Sequence, residues 1–138
     1  MFKSILVPID LSDPDYYKSA ISTAAEMAKR DGADLHLVTV LPVISGMVAS
    51  HVPADIESQI TDDAKKEIEK LAGATGLSKA KASVRHGAVY HEVLDEAERI
   101  GADLIVMGSH RPGMATYLIG SNAARIVRHA TCAVLVLR

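Results

Sequence analysis

The stretch LIVMGSHRPGMATYLIGSNAARIVR, residues 104–128, decides how the chain is read. Leu104-Ile105-Val106-Met107 is short, apolar and β-branched enough to be a buried strand, and Asn122 opens a helical pattern. A long polar loop joins the two. Connections of this kind usually run roughly 2 to 6 residues, and longer ones inside compact domains tend to bind something. A helix that opens on Gly120-Ser121-Asn122 offers free backbone N–H groups, the positive end of its dipole and a hydroxyl, with no side chain at Gly120 to block approach. Phosphate suits that geometry. In the plainer alternative, Ser121 only caps the helix and the loop glycines only make turns.

Working outward, residues 3–9 (KSILVPI) form a nearly unbroken apolar run, as expected of a central parallel strand covered on both faces. Pro8 cannot donate to a sheet, which places it near that strand's C-terminal end, and Asp10 emerges just beyond. Asp13-Pro14 reads as a helix start, with an acceptor at the N-cap and proline at the first helical position. Tyr17, Ala20, Ile21, Ala24, Ala25 and Ala28 then give one apolar stripe that stops at Gly32. A second strand spans 34–40. From Leu41 to Pro53 periodicity is lost, so a mobile excursion over the sheet end, able to serve as a lid, is expected. Ile56, Ile60, Ala64, Ile68 and Leu71 mark a helix from Ala54 to about Gly73, with Asp62 and Lys66 spaced as a surface ion pair. Residues 81–85 suggest a short edge strand. Val89, Val93, Ala97 and Ile100 mark a third helix closed by Gly101, followed by a strand at 103–107, a helix from about Ser121 to His129, and a last strand at 132–137.

An internal echo supports this parsing. AKRDGADL (28–35) is matched by AERIGADL (97–104), the same helix end, glycine cap and strand start used twice. The order βαβαβαβαβ implies a parallel sheet with right-handed crossovers. Ligands of such sheets sit at the carboxyl ends of the strands, where strand order reverses. If strands one and four flank that crevice, Asp10 faces the Gly108 loop across it. A ribose hydroxyl then suits the carboxylate, and phosphates suit the helix end.

Composition narrows the classes. The chain has 138 residues, 49% of them hydrophobic, which fits one domain with a real core. Its net charge is −2 with both signs mixed along the chain, so nucleic acid is not an expected partner. The N-terminal apolar run is too short for a signal peptide, and no stretch approaches the roughly 18 apolar residues of a membrane span. A soluble, cytoplasmic protein is the expectation. Cys132 is the one cysteine and reads as a small packing residue.

Together these motifs resemble the universal stress protein family. The resemblance covers the whole chain: the opening ILVPID (5–10), a strand ending VTV (38–40) before a variable loop, VMGSH (106–110), GSNAARIVRHA (120–130) and the terminal AVLVLR (133–138). Nucleotide-binding members carry Gly, two residues, Gly, nine residues, then Gly and Ser or Thr. Here Gly108-Ser109-His110 leads directly to nine residues and then Gly120-Ser121, so the middle glycine is absent, as in the branch containing universal stress proteins F and G.

The resemblance implies a Rossmann-like α/β fold, a single domain over 1–138 with an open, twisted, five-stranded parallel sheet in the order 3-2-1-4-5 and helices on both faces. It implies ATP as ligand, with Mg2+ as a candidate companion. Pro8, Ile9 and Asp10 would border the adenosine, with Asp10 at the ribose, and Val40 would meet the adenine through its backbone. Gly108, Ser109, His110 and Arg111 would line the phosphate side, Met107 and Gly113 would also belong to the binding site, and Gly120, Ser121 and Asn122 would supply helix N-terminal donors. Arg111 offers a charged fork that could replace donors lost with the missing glycine, or is simply a solvated loop charge. The implied function is a nucleotide-responsive stress or signalling protein with little or no turnover. The last strand implies a homodimer, or a tetramer built from it, through antiparallel pairing of exposed edges.

Other classes fit less well. A P-loop or dinucleotide fingerprint is absent, and so is Gly-x-Ser-x-Gly, which weighs against a hydrolase triad of Ser109, His110 and Asp10. His86, His91 and Glu92 match no helical zinc spacing. His36 should be packed or half-exposed within its strand. A slow ATP-hydrolysing or phosphotransfer enzyme remains the alternative. It would need a metal-anchoring carboxylate near the phosphates, and Asp10 is the acidic residue expected near the crevice. A nucleotide-free assembly protein is the third possibility.

Overall fold

The run Ser4–Pro8 becomes β1, and its three central residues have no solvent exposure, as its apolar composition predicts. The computed structural model describes residues 1–43, 50–109 and 120–138. Along the chain follow α1 (Pro14–Asp31), β2 (Asp34–Leu41), α2 (Ala54–Ala74), β3 (Lys81–His86), α3 (Val89–Ile100), β4 (Leu104–Gly108), α4 (Ser121–His129) and β5 (Ala133–Leu137). The five strands form one parallel sheet in the order β3-β2-β1-β4-β5, the order the family resemblance implies.

Alternation along the strands sorts the core into two layers. Ile5, Val7, Leu35, Leu37, Leu104 and Val106 pack against the alanine stripe of α1 and against Ile68 and Ala72 of α2. Leu6, Val38, Ile105 and Met107 meet Val93 and Ala97 of α3 and Ala123 and Ile126 of α4. Helices therefore cover both faces. Small residues on α1 let its backbone lie close to the sheet. Arg125 stacks over Tyr90 at 5.1 Å and ties α4 alongside α3.

The repeated helix ends have the same backbone solution. Gly32 (φ 69°) and Gly101 (φ 65°) both take the left-handed conformation that closes a helix without Cβ strain. At the opposite end of the sheet, β1 and β4 pair only at Ile5–Leu104 and Leu6–Ile105, while β1 stays on β2 to Pro8–Val38. The chain leaves β1 for opposite neighbours here, so a crevice opens between the strand ends.

Several sequence expectations are corrected. Ile56 and Ile60 are about half exposed, and the buried residues of α2 are Ala64, Ile68 and Ala72. At 21 residues, α2 is roughly 31 Å long against roughly 20 Å for six-residue β3, so its first turns overhang the sheet. Asp62 and Lys66 form no ion pair; the i,i+4 contact on this helix is Gln59 donating to Asp63 at 2.8 Å. The proposed lid at 41–53 falls partly outside the described residues, which omit 44–49. Among the described residues, no helix is long and apolar enough to cross a membrane.

Candidate functional site

Every predicted site residue that is described, from Pro8 through Val40 and Gly108 to Asn122, lines one crevice of about 380 Å3 at the carboxyl ends of the strands. His110, Arg111 and Gly113 lie outside the described residues. Ile9 and Met107 are buried beneath the crevice, and Ile9 N–H donates to Val38 C=O at 2.8 Å, fixing the end of β1.

Asp10 is exposed at the crevice mouth, where Oδ1 accepts the Ser12 backbone N–H at 3.0 Å and the Ser12 hydroxyl. This side-chain turn orients the carboxylate and leaves Oδ2 available to a ligand. Across the crevice, α4 opens at Gly120 (φ −59°), and among the described residues no side chain caps it. Ser121 is the first helical residue rather than the cap, so the alternative in which it serves only as N-cap does not hold. Ser121 and Asn122 are exposed, while Gly120 and Ala123 are buried, which brings the helix end up to the crevice wall.

Two predicted residues do something different from what the sequence suggests. Ser109 is 6% exposed, and both its N–H (3.0 Å) and its hydroxyl (3.2 Å) donate to Leu137 C=O on β5. Its proton is thus directed at a carbonyl, which removes the hydrolase-triad alternative. At Gly108, a Cβ would come within 2.2 Å of Tyr16 Cε1. Glycine is needed there because the Tyr16 ring lies directly upon it.

The N-terminus of α1 contributes what sequence reasoning missed. Asp13 sits at the N-cap position but makes no side-chain cap bond. The Tyr16 N–H, which a capping side chain could have taken, goes to the Asp13 backbone C=O at 3.1 Å, and Asp13 lines the crevice. Asp10 is therefore not the only acidic residue there. Tyr16 and Tyr17 of α1 and Val89 and Val93 of α3 complete the walls. The first turns of helices must lie at this end of a parallel sheet, and that was the available signal.

A second constellation lies one layer deeper. Glu96 of α3 is 1% exposed and takes Arg85 of β3 (2.8 Å), Arg99 (3.0 Å from Nε) and His36 of β2 (3.3 Å). Burial pushes its carboxyl up, but hydrogen bonds from Arg99 and Arg85 with their charges bring it below the ordinary value. Burial holds His36 below its usual value; Glu96 opposes this while Arg99 and Lys81 reinforce it. Of the other histidines weighed as metal ligands, His86 meets Thr61 Oγ1 at 3.1 Å. His91 joins Glu92 and Asp95 in an exposed ion-pair cluster at 3.2 and 3.4 Å. Cys132 is half-buried, and desolvation raises its thiol above the usual range, as a packing cysteine requires.

Comparison with known proteins places this arrangement. The sequence profile described as the universal stress protein family matches residues 1–138. Universal stress protein G of Salmonella typhimurium is 36% identical over 143 aligned positions, covering 100% of both chains. Among solved structures, a universal stress protein in complex with cAMP superposes with a TM-score of 0.71 at 24% identity, over 99% of this chain and 97% of that one. The universal stress protein of Archaeoglobus fulgidus in complex with dAMP gives 0.67 at 18% identity, over 99% and 98%. The fold is shared with these structures, and the full-length profile match together with the 36% identity establishes that the chain belongs to the universal stress protein family.

Proposed function

We propose that the crevice binds an adenine nucleotide, with ATP and a bound Mg2+ as the physiological form, and that occupancy is the signal this protein reports. The observation that carries the reading is a helix N-terminus opening on Gly120, with no side-chain cap among the described residues, facing an oriented carboxylate across a 380 Å3 crevice. That volume lies at the lower end of the roughly 300 to 1,000 Å3 typical of small-ligand sites. The relatives described with cAMP and dAMP supply the ligand class. In this reading Asp10 holds the ribose, Val40 meets the adenine through its backbone, and Gly120, Ser121 and Asn122 surround the phosphates, while Gly108 seats the Tyr16 ring that forms the neighbouring wall. The family resemblance assigns His110, Arg111 and Gly113, outside the described residues, to the phosphate side as well. Asp10 and Asp13 are both negative, so the phosphates are steered to the α4 end.

The protein works in the cytoplasm as a homodimer, or a tetramer of such dimers. β5 lies at the sheet edge with Val134–Leu137 half-exposed, and antiparallel pairing with a second copy would satisfy that edge. Turnover is low, because Ser109 is committed to Leu137 and Asp10 is engaged at the ribose. One observation favours the second reading, a slow hydrolytic or phosphotransfer enzyme: Asp13 supplies a further carboxylate at the crevice that could anchor a metal.

Isothermal titration with ATP tests the proposal. Heat that saturates at micromolar to low millimolar nucleotide is expected in the wild type and should be lost in Gly120→Val, whose backbone (φ −59°) accepts a β-branched residue. Absence of heat at millimolar ATP would overturn it. Steady ATP consumption abolished by Asp13→Asn would favour the enzyme.

A further inference from the structure

The apolar end of the crevice rests on charge. On β2, His36, Val38 and Val40 share one face; on α3, Val89, Val93 and Glu96 follow one another along the stripe that faces the sheet. The four valines line the crevice, and the layer beneath them is His36 against Glu96. Arg85, the register partner of Val40 on β3, reaches both Glu92 (3.1 Å) and Glu96 (2.8 Å). Two successive turns of α3 are thereby fastened to the sheet, beside the turns that carry Val89 and Val93. Nothing in the crevice chemistry uses these groups, and well-packed hydrophobic residues would stabilise a core at least as well as a buried ion cluster.

We infer that the His36–Glu96–Arg85 clamp positions α3 against β2 and so sets the width of the crevice's apolar end, with His36 making adenine-nucleotide affinity fall in acid. This rests on the nucleotide reading above. His36 is 8% exposed. The groups facing it are Glu96 and Arg99 from α3, Ser83 (Oγ to Nε2, 3.0 Å) and Lys81 from β3, and the apolar Leu6 from β1. The neutral ring hydrogen-bonds through Nε2 to Ser83 Oγ at 3.0 Å, with the Glu96 carboxylate 3.3 Å away. When the ring takes a second proton, the cation is opposed by burial, Arg99 and Lys81, and only Glu96 favours it. Hydration relieves that charge if α3 moves off the sheet, which widens the crevice between Val38 and Val93. The closed packing that grips a purine therefore disfavours the proton, and linkage makes the effect reciprocal.

The test compares AMP and ATP affinity at pH 7.5 and 5.5 in the wild type and in His36→Gln, whose side-chain amide keeps a donor near the Nε2 position without titrating. The nucleotide phosphate titrates in this window too, so the variant is the reference. The wild type should weaken by about threefold or more beyond His36→Gln, with a ceiling of about tenfold per pH unit below the His36 midpoint. A second readout needs no variant: followed by NMR, the His36 ring should titrate at lower pH when nucleotide is saturating. Parallel pH profiles in the two proteins, or a ring midpoint that nucleotide does not move, would overturn the clamp while leaving nucleotide binding intact. No binding at pH 7.5 would overturn the crevice reading and the clamp with it.

Discussion

Gly108→Ala is the sharpest perturbation the crevice offers. The backbone is compatible, since Gly108 has no positive φ, and β4 is held at this point by its register partner Leu137. The added Cβ would lie 2.2 Å from Tyr16 Cε1 and 2.4 Å from Cδ1, where ordinary carbon contacts are about 3.5 to 4.0 Å. The ring must retreat by more than about 1 Å, since pairing with Leu137 on β5 holds the Gly108 backbone in place. Overpacking of this kind costs about 1 to 3 kcal/mol. In a Tyr16→Ala background the same Cβ loses its three nearest contacts, so the cost of Gly108→Ala should fall to within about 0.5 kcal/mol of zero. Urea unfolding of the four proteins at one fixed concentration measures the cycle. A Gly108→Ala penalty that is equal in both backgrounds would refute the contact.

Three further outcomes follow from the same structure. Glu96→Ala should cost about 2 to 3 kcal/mol in urea unfolding, below the roughly 3 to 5 of a fully buried pair because Arg85 and Arg99 can turn to water; a loss under about 0.5 would show the cluster to be dispensable. Asp31 is held down at about 2 by its hydrogen bond to Arg30 and by the Phe2 N–H, so its contribution to stability is present above the ordinary 3.8 and lost as pH falls through about 2. Carboxyl NMR should find that low midpoint and see it rise in Arg30→Ala; an ordinary midpoint in the wild type would refute the assignment. Light scattering should give an even multiple of the 14.7 kDa chain mass, and 14.7 kDa itself at high concentration would refute pairing through β5.

Much of the fold was legible because its signals are local. The stripe on α1, the left-handed glycines at 32 and 101, and the unbroken apolar runs of β1 and β4 each depend on neighbours within a few residues. The strand order came from resemblance, since nothing local distinguishes β3 from β5 as the edge next to β2. Ile56 and Ile60 mark the helix but stay half exposed, because periodicity records a face of the helix and not how far the sheet extends beneath it. In the crevice, the Tyr16 N–H goes to the Asp13 backbone carbonyl and not to its carboxylate, a competition that spacing does not reveal. Glu96 stood in an apolar stripe three residues after Val93, which was a visible anomaly. Its partners Arg85 and His36 lie on two other strands, and only the folded register brings them together.

The most direct test of the central claim is a titration of 15N-labelled protein with ATP, read at the amides of residues 10, 40 and 120–123. The account predicts saturable shifts concentrated at those positions, largest at Gly120–Asn122, where the α4 N–H groups would meet phosphate. Shifts that cluster elsewhere, or spectra unchanged at millimolar ATP, would contradict it.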